Sequence, residues 1–298
     1  MSSRMHGVAV DAGSGLAAAI AEARGAQAHP DDHRRFKEIV LQVLGREATT
    51  VLLDAEYGPQ LLNSYPDGCA PMIALEADVY HISDADRITR LPDDLSAADF
   101  PGLGVRLLKF FMYFAPDDPA PLNRRKLEIV EAVGRDCARA GVDFLFEPLV
   151  YARGIAPGTP EFAAIKPDLV CRTVATFADP RFNAAVLKIE VPVDLGFVEG
   201  FGTPARSRRQ ALDSFRQVAQ AAGEVPFVFL SAGVPFDWFK ASLVMAEEAG
   251  SGHAGFMCGR AIWSDAVGIF GSGGPEAMQG WLHDVGLARL RALKAVAP

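Results

Sequence analysis

Cysteine is scarce: the 298 residues include only Cys69, Cys137, Cys171 and Cys258. None forms a C-x-x-C, which excludes a zinc ribbon or a dithiol redox motif and predicts four reduced, mostly buried thiols. The six histidines, His6, His29, His33, His81, His253 and His283, form neither H-x-H nor H-E-x-x-H. A histidine zinc site therefore lacks its donors; no metal and no cofactor are expected, and most of these side chains are expected at the surface. No G-x-G-x-x-G follows a strand, since Gly13 and Gly15 come closest and lack the third glycine; Walker and G-x-S-x-G sequences are absent too. Long apolar runs are also missing. A stretch such as 107–114, interrupted by Lys109, falls far short of the roughly 20 residues that cross a bilayer. Arg4 could open a signal peptide, but Asp11 and the neighbouring glycines interrupt the apolar part that should follow, so a cytoplasmic protein is expected. Positive charge is in the minority, with Lys+Arg 29 against Asp+Glu 37 and a net charge of −8. Such a field repels nucleic acid and anionic lipid, so any phosphate site must be local.

Half the residues are hydrophobic and 22% are charged, enough for a large core. From Ala48 onward, short runs of Val, Leu, Ile and Phe alternate with helical stretches, the pattern of a parallel sheet. Strands are predicted at 8–11, 50–54, 72–76, 105–113, 144–151, 186–191, 227–231 and 255–258. Helices are predicted at 31–44, 58–63, 121–140, 160–177, 204–222, 235–249 and 262–285, several with Pro in the first turn. The strands are almost continuously apolar, so both sheet faces must be covered. Eight such strands favour a closed (β/α)₈ barrel, one domain over 1–298, against an open Rossmann-type sheet.

Barrel active sites lie at the C-terminal ends of the strands, so polar residues that end or interrupt apolar runs are the informative ones. They are Asp11, Asp54, Glu56, Glu76, Lys109, Glu147, Lys188, Glu190, Ser231 and Arg260. Lys188, in A-A-V-L-K-I-E-V-P, lies in a run that should bury it. A buried ammonium is costly and tends to lose its proton, leaving an amine able to form an imine with a ketone. Glu190, two residues on, shares its side of the strand; a buried structural Lys–Glu pair is the alternative. Lys109, in L-L-K-F-F-M-Y-F, is a second cation, or a lysine snorkelling from a strand end. Glu147, among aromatics in F-L-F-E-P-L-V, suits a proton shuttle, or else pairs with one of the lysines. Ser231, Gly233, Gly259 and Arg260 follow the last two strands, where barrels commonly bind phosphate, although a simple turn with a surface arginine fits too.

Six segments carry a resemblance: L-L-D-A-E-Y-G at 52–58, K-P-D-L-V at 166–170, D-P-R-F-N-A-A-V-L-K-I-E-V-P-V at 179–193, V-E-G-F at 198–201, P-F-V-F-L-S-A-G-V at 226–234 and C-G-R-A-I-W at 258–263. Their order and spacing resemble the class I tagatose 1,6-bisphosphate aldolases and their relatives, including bacterial 6-deoxy-6-sulfofructose-1-phosphate aldolase. The resemblance implies a metal-free (β/α)₈ aldolase and a homo-oligomer. It matches Lys188 to the Schiff-base lysine, Glu147 to the acid/base, Lys109 to the second lysine and Asp11 to the first-strand aspartate. Ser231 and Arg260 match the site for the C1 phosphate of the ketose, with Gly233 and Gly259 beside them. Asp54, Glu56 and Glu190 are further candidates for substrate contact. Where the family usually reads D-Q-R, this chain has Asp11 followed by Ala12, Gly13, Ser14 and Gly15. That departure opens the substrate's far end to phosphate, sulfonate or no anion. It also motivates a second reading, a sugar-phosphate sensor on the same barrel, and a third is another Schiff-base lyase.

Overall fold

The computed structural model describes residues 4–79 and 82–297. Eight parallel strands close into a barrel in sequence order: β1 (Met5–Ala9), β2 (Thr50–Leu53), β3 (Ala70–Ala74), β4 (Leu107–Phe114), β5 (Asp143–Val150), β6 (Val186–Glu190), β7 (Phe227–Leu230) and β8 (Gly255–Cys258). Closure is made by β1 against β8, with Met5 opposite Gly255 and Val8 opposite Cys258.

Around the barrel lie α1 (Ser14–Arg24), α2 (Asp32–Leu44), α3 (Ala120–Ala140), α4 (Pro160–Phe177), α5 (Arg208–Ala222), α6 (Phe236–Glu248), α7 (Arg260–Trp263), α8 (Asp265–Trp281) and α9 (Leu287–Val296). The helix starts obey local chemistry. Thr159 accepts the Phe162 N–H with Pro160 in the first turn, and Ser207 and Gln210 form a reciprocal capping box. That box starts α5 at Arg208, four residues later than the expected 204.

The expected 262–285 helix is broken. α7 and α8 meet at Ser264, Gly274 departs from helical geometry at φ +74°, and a π turn at Leu282–Gly286 leads into α9. The segment expected to be helical at 58–63 is a 3₁₀ helix, Pro59–Ser64. α1 was not expected, since its buried side is only Leu16 and Ile20. β1 begins three residues before the expected 8–11, because barrel closure recruits Met5, His6 and Gly7.

Period two sorts the strand residues into two cores. Outward side chains, such as Val51, Ile73, Phe110, Phe146 and Phe229, pack against the helices in the larger core. Inward side chains, Met5, Ala9, Leu52, Met72, Ala74, Leu145, Val186, Val228 and Met257, fill the lumen. This inner cluster is apolar throughout. Two residues beyond Ala9, Ala74, Leu107, Leu145 and Val186 stand Asp11, Glu76, Lys109, Glu147 and Lys188. The same alternation that packs the floor therefore lifts five charged groups to the C-terminal mouth.

Candidate active site

One oxygen joins the two lysines. Glu147 Oε2, on β5, lies 2.9 Å from Lys188 Nζ on β6 and 2.9 Å from Lys109 Nζ on β4. The strand register explains this: Phe146 faces Leu187, so Glu147 comes beside Lys188 one step higher. Lys109 Nζ also donates to Asp11 Oδ2 at 2.9 Å and to Glu76 Oε1. Lys109, Glu147, Lys188 and Glu76 are buried, and Asp11 is partly exposed at the mouth.

Three carboxylates around two ammonium groups set the electrostatics. Burial would raise the Asp11 carboxyl, yet the ammonium groups of Lys109 and Lys188 hold it well below the ordinary range. Burial likewise works against the charged form of Lys109, and Asp11, Glu147 and Glu76 more than offset it, raising Lys109 well above an ordinary lysine. It is therefore the permanent cation of the group. For Glu76 burial wins: despite Lys109, its carboxyl is pushed up to about 7, with Asp11 and Glu147 adding like-charge repulsion. Glu76 Oε2 is buried without a hydrogen-bond partner.

Lys188 and Glu190 share a face as expected but do not pair. Glu190 accepts the Val150 N–H at 2.7 Å and lies 3.6 Å from Lys166 of α4, fastening the end of β5. Asp54 is held by Lys37 of α2 and accepts the Tyr57 N–H at 2.9 Å, while Glu56 is exposed. Lys37 is fully buried and also donates to the carbonyls of Val10 at 3.1 Å and Ala12 at 2.8 Å, so it fixes the chain on both sides of Asp11.

At the mouth of β7, Ser231 is buried, and Ala232 and Gly233 both take positive φ, +49° and +78°. A Cβ on Gly233 would stand 2.9 Å from Arg260 Cζ, so glycine is what lets the exposed guanidinium lie against that turn. Gly259 precedes α7 with its Cα against the Ala9 carbonyl, which also accepts the Trp263 indole N–H at 2.8 Å. The four proposed phosphate-side residues thus sit on two adjoining loops.

Beside the loops after β1, β2 and β3, the mouth widens into a cavity of about 670 Å³ lined in part by Asp11, Asp54, Glu56, Glu76 and Asp78. Sequence reasoning named Glu76 as a strand end without giving it a role, and passed over Lys37, Lys166 and Asp78. The available signal was period two for Glu76 and, for Lys37, a lysine on the apolar stripe of Phe36, Val40 and Leu44. Among the described residues, no group of three or more His, Cys, Asp or Glu is arranged to hold a metal ion. Among the described histidines, His29 and His283 are exposed and His6 is partly so, while His33 and His253 are buried. His33 packs edge-on to Tyr57, and burial lowers it to about 4; His81 lies outside the described residues. The four cysteines are free, three of them buried.

Residues 6–265 match the DeoC/LacD family aldolase. A tagatose 1,6-diphosphate aldolase of Listeria monocytogenes serotype 4a (strain HCC23) is 31% identical over 289 residues, 96% of this chain and 85% of that protein. One of Staphylococcus aureus (strain JH9) is 35% identical over 268 residues, 88% of this chain and 81% of that protein. Among solved structures, the fructose-bisphosphate aldolase of Plasmodium falciparum superposes with a TM-score of 0.72 at 14% identity, over 97% of this chain and 89% of that one. An archaeal fructose 1,6-bisphosphate aldolase gives 0.63 at 15%, over 99% and 93%. These structures share the barrel, and no described helix is long and apolar enough to cross a membrane. The family match and the two relatives together establish that the chain belongs to the DeoC/LacD family of aldolases, which are lyases.

Proposed function

We propose that the protein is a class I aldolase that cleaves a ketose 1-phosphate into dihydroxyacetone phosphate and a three-carbon aldehyde. The observation that carries this reading is the single oxygen of Glu147 shared, at 2.9 Å each, between Lys188 and Lys109. It puts a proton acceptor within reach of the amine that would form the imine. Lys188 Nζ attacks the C2 carbonyl, and the carbinolamine loses water to give an iminium. Glu147 takes the C4 hydroxyl proton, the C3–C4 bond breaks, and its electrons pass to the iminium as the aldehyde leaves. The enamine is protonated at C3, and water returns dihydroxyacetone phosphate and the free amine. Asp11 and the permanently charged Lys109 orient substrate hydroxyls. Ser231, Gly233, Gly259 and Arg260 receive the C1 phosphate, where a guanidinium fork and backbone N–H groups suit it.

The whole chain, 1–298, acts as one aldolase domain in the cytoplasm, as a homo-oligomer. The test is reduction with borohydride in the presence of dihydroxyacetone phosphate, followed by peptide mapping. One adduct on Lys188, absent in Lys188→Met, is expected. A folded protein with no adduct refutes the reading and favours a sugar-phosphate sensor.

A further inference from the structure

With C2 at Lys188 and the C1 phosphate at the β7–β8 loops, the far carbons of the ketose run past Glu147 toward Asp11 and Glu76, and so into the 670 Å³ cavity. Every charged side chain among the described residues that line this cavity is a carboxylate, Glu56, Asp78, Asp94 and Asp99 joining Asp11, Asp54 and Glu76. Lysines partner Asp11 and Asp54, but neither lysine lines the cavity. A doubly charged phosphate entering here would meet carboxylates and, among the described lining residues, no cationic side chain.

Two further observations point the same way. The first N–H groups of a helix are a natural anion seat. At the start of α1, Ser14 N–H instead donates to Asp78 Oδ2 at 3.0 Å. Gly13 permits that approach, since a Cβ there would stand 2.5 Å from Asp78 Oδ1. The chain's own carboxylate thus occupies the corner where the resembling family reads Gln and Arg. Separately, Glu76 is among the residues lining the cavity, and its Oε2 is buried without a hydrogen-bond partner. A buried polar oxygen left unpaired is unfavourable, and a substrate hydroxyl, donor and acceptor in one, pairs it whether or not Glu76 holds its proton.

We propose that this cavity is the aldehyde half of the active site and that it admits only an aldehyde without an anionic group, an uncharged hydroxyaldehyde whose hydroxyl pairs with Glu76. The substrate is then a ketose 1-phosphate, neither a 1,6-bisphosphate nor a 6-sulfonate. This inference rests on the aldolase reading above.

The test runs the reaction toward addition with the full-length protein. C3 of dihydroxyacetone phosphate gives up a proton and bonds to the aldehyde carbon, whose oxygen takes up a proton, so the product mass is the sum of the two reactants. Glyceraldehyde and glyceraldehyde 3-phosphate are compared as acceptors at low salt and in 0.5 M KCl. The expected kcat/KM for glyceraldehyde exceeds that for its phosphate by at least about tenfold, about 1.4 kcal/mol, and the gap narrows in salt. The exposed pair Glu56→Gln and Asp94→Asn, combined, narrows it too, by raising kcat/KM for the phosphate. Equal or better use of the phosphorylated acceptor overturns the proposal, as does failure to accept glyceraldehyde. Borohydride trapping without any acceptor separates the two levels. An adduct on Lys188 with a preference for glyceraldehyde 3-phosphate sinks only this inference, whereas no adduct and no turnover sink both.

Discussion

Replacing Glu76 with glutamine removes an ionisation that burial opposes. Burial raises this carboxyl from 4.5 to about 7 against the attraction of Lys109, and Asp11 and Glu147 push in the same direction. In the unfolded chain the proton leaves near 4.5, so the folded form binds it more tightly. The group's contribution to stability is complete below pH 4.5 and is lost as the pH rises through about 7. Between pH 5 and 8.5 the loss amounts to about 2.5 kcal/mol, which for a chain of this size is about 4 °C in Tm. Thermal unfolding of wild type and Glu76→Gln, followed by fluorescence at fixed ionic strength, isolates this from all other titrations. The Tm of the wild type should fall by about 4 °C more than that of the variant over that range. Parallel curves would refute the assignment of a retained proton to Glu76.

Three other substitutions have definite expected outcomes. Lys37→Met leaves Asp54 unpaired and the Val10 and Ala12 carbonyls without this donor, and should cost about 3 to 5 kcal/mol in urea unfolding. Pairing it with Asp54→Asn should recover part of the loss. Gly134→Ala places a Cβ 1.9 Å from the Phe182 carbonyl, so α3 and the 3₁₀ turn Pro180–Phe182 before β6 must separate; we expect a loss above about 3 kcal/mol, despite alanine's helix preference of about 1 kcal/mol. Gly233→Ala combines φ +78° with a Cβ 2.9 Å from Arg260 Cζ, and should raise KM for the ketose phosphate about tenfold with a Tm change of only a few degrees.

The barrel was readable because parallel strands covered on both faces must be apolar throughout, which makes the exceptions conspicuous. Lys188 and Glu147 stood out for that reason, as did the Gly233 and Arg260 loops. What could not be read depends on the third dimension. Glu147, rather than Glu190, is the partner of Lys188 because of the β5–β6 register, which no local pattern records. α1 was hidden because its Ala-rich sequence carries only Leu16 and Ile20 as a buried stripe, and with it the carboxylate seat made by Ser14 and Asp78. Asp54 looked like a site residue by position, yet the side chain that engages it belongs to α2, 17 residues earlier in the chain.

The ammonium of Lys109, on β4, touches residues that follow β1 and β3 and one within β5, so a single ion laces together four of the eight staves at the rim. Removing it would not merely delete a catalytic contact. Three acids would be left confronting one another at the mouth, and the barrel's upper edge would have to splay or take up protons. Chemistry and construction therefore meet in one side chain at this position. The cavity-lining Asp78, Glu56 and Asp94 make none of these contacts, so the far end of the site can change charge while the rim stays tied.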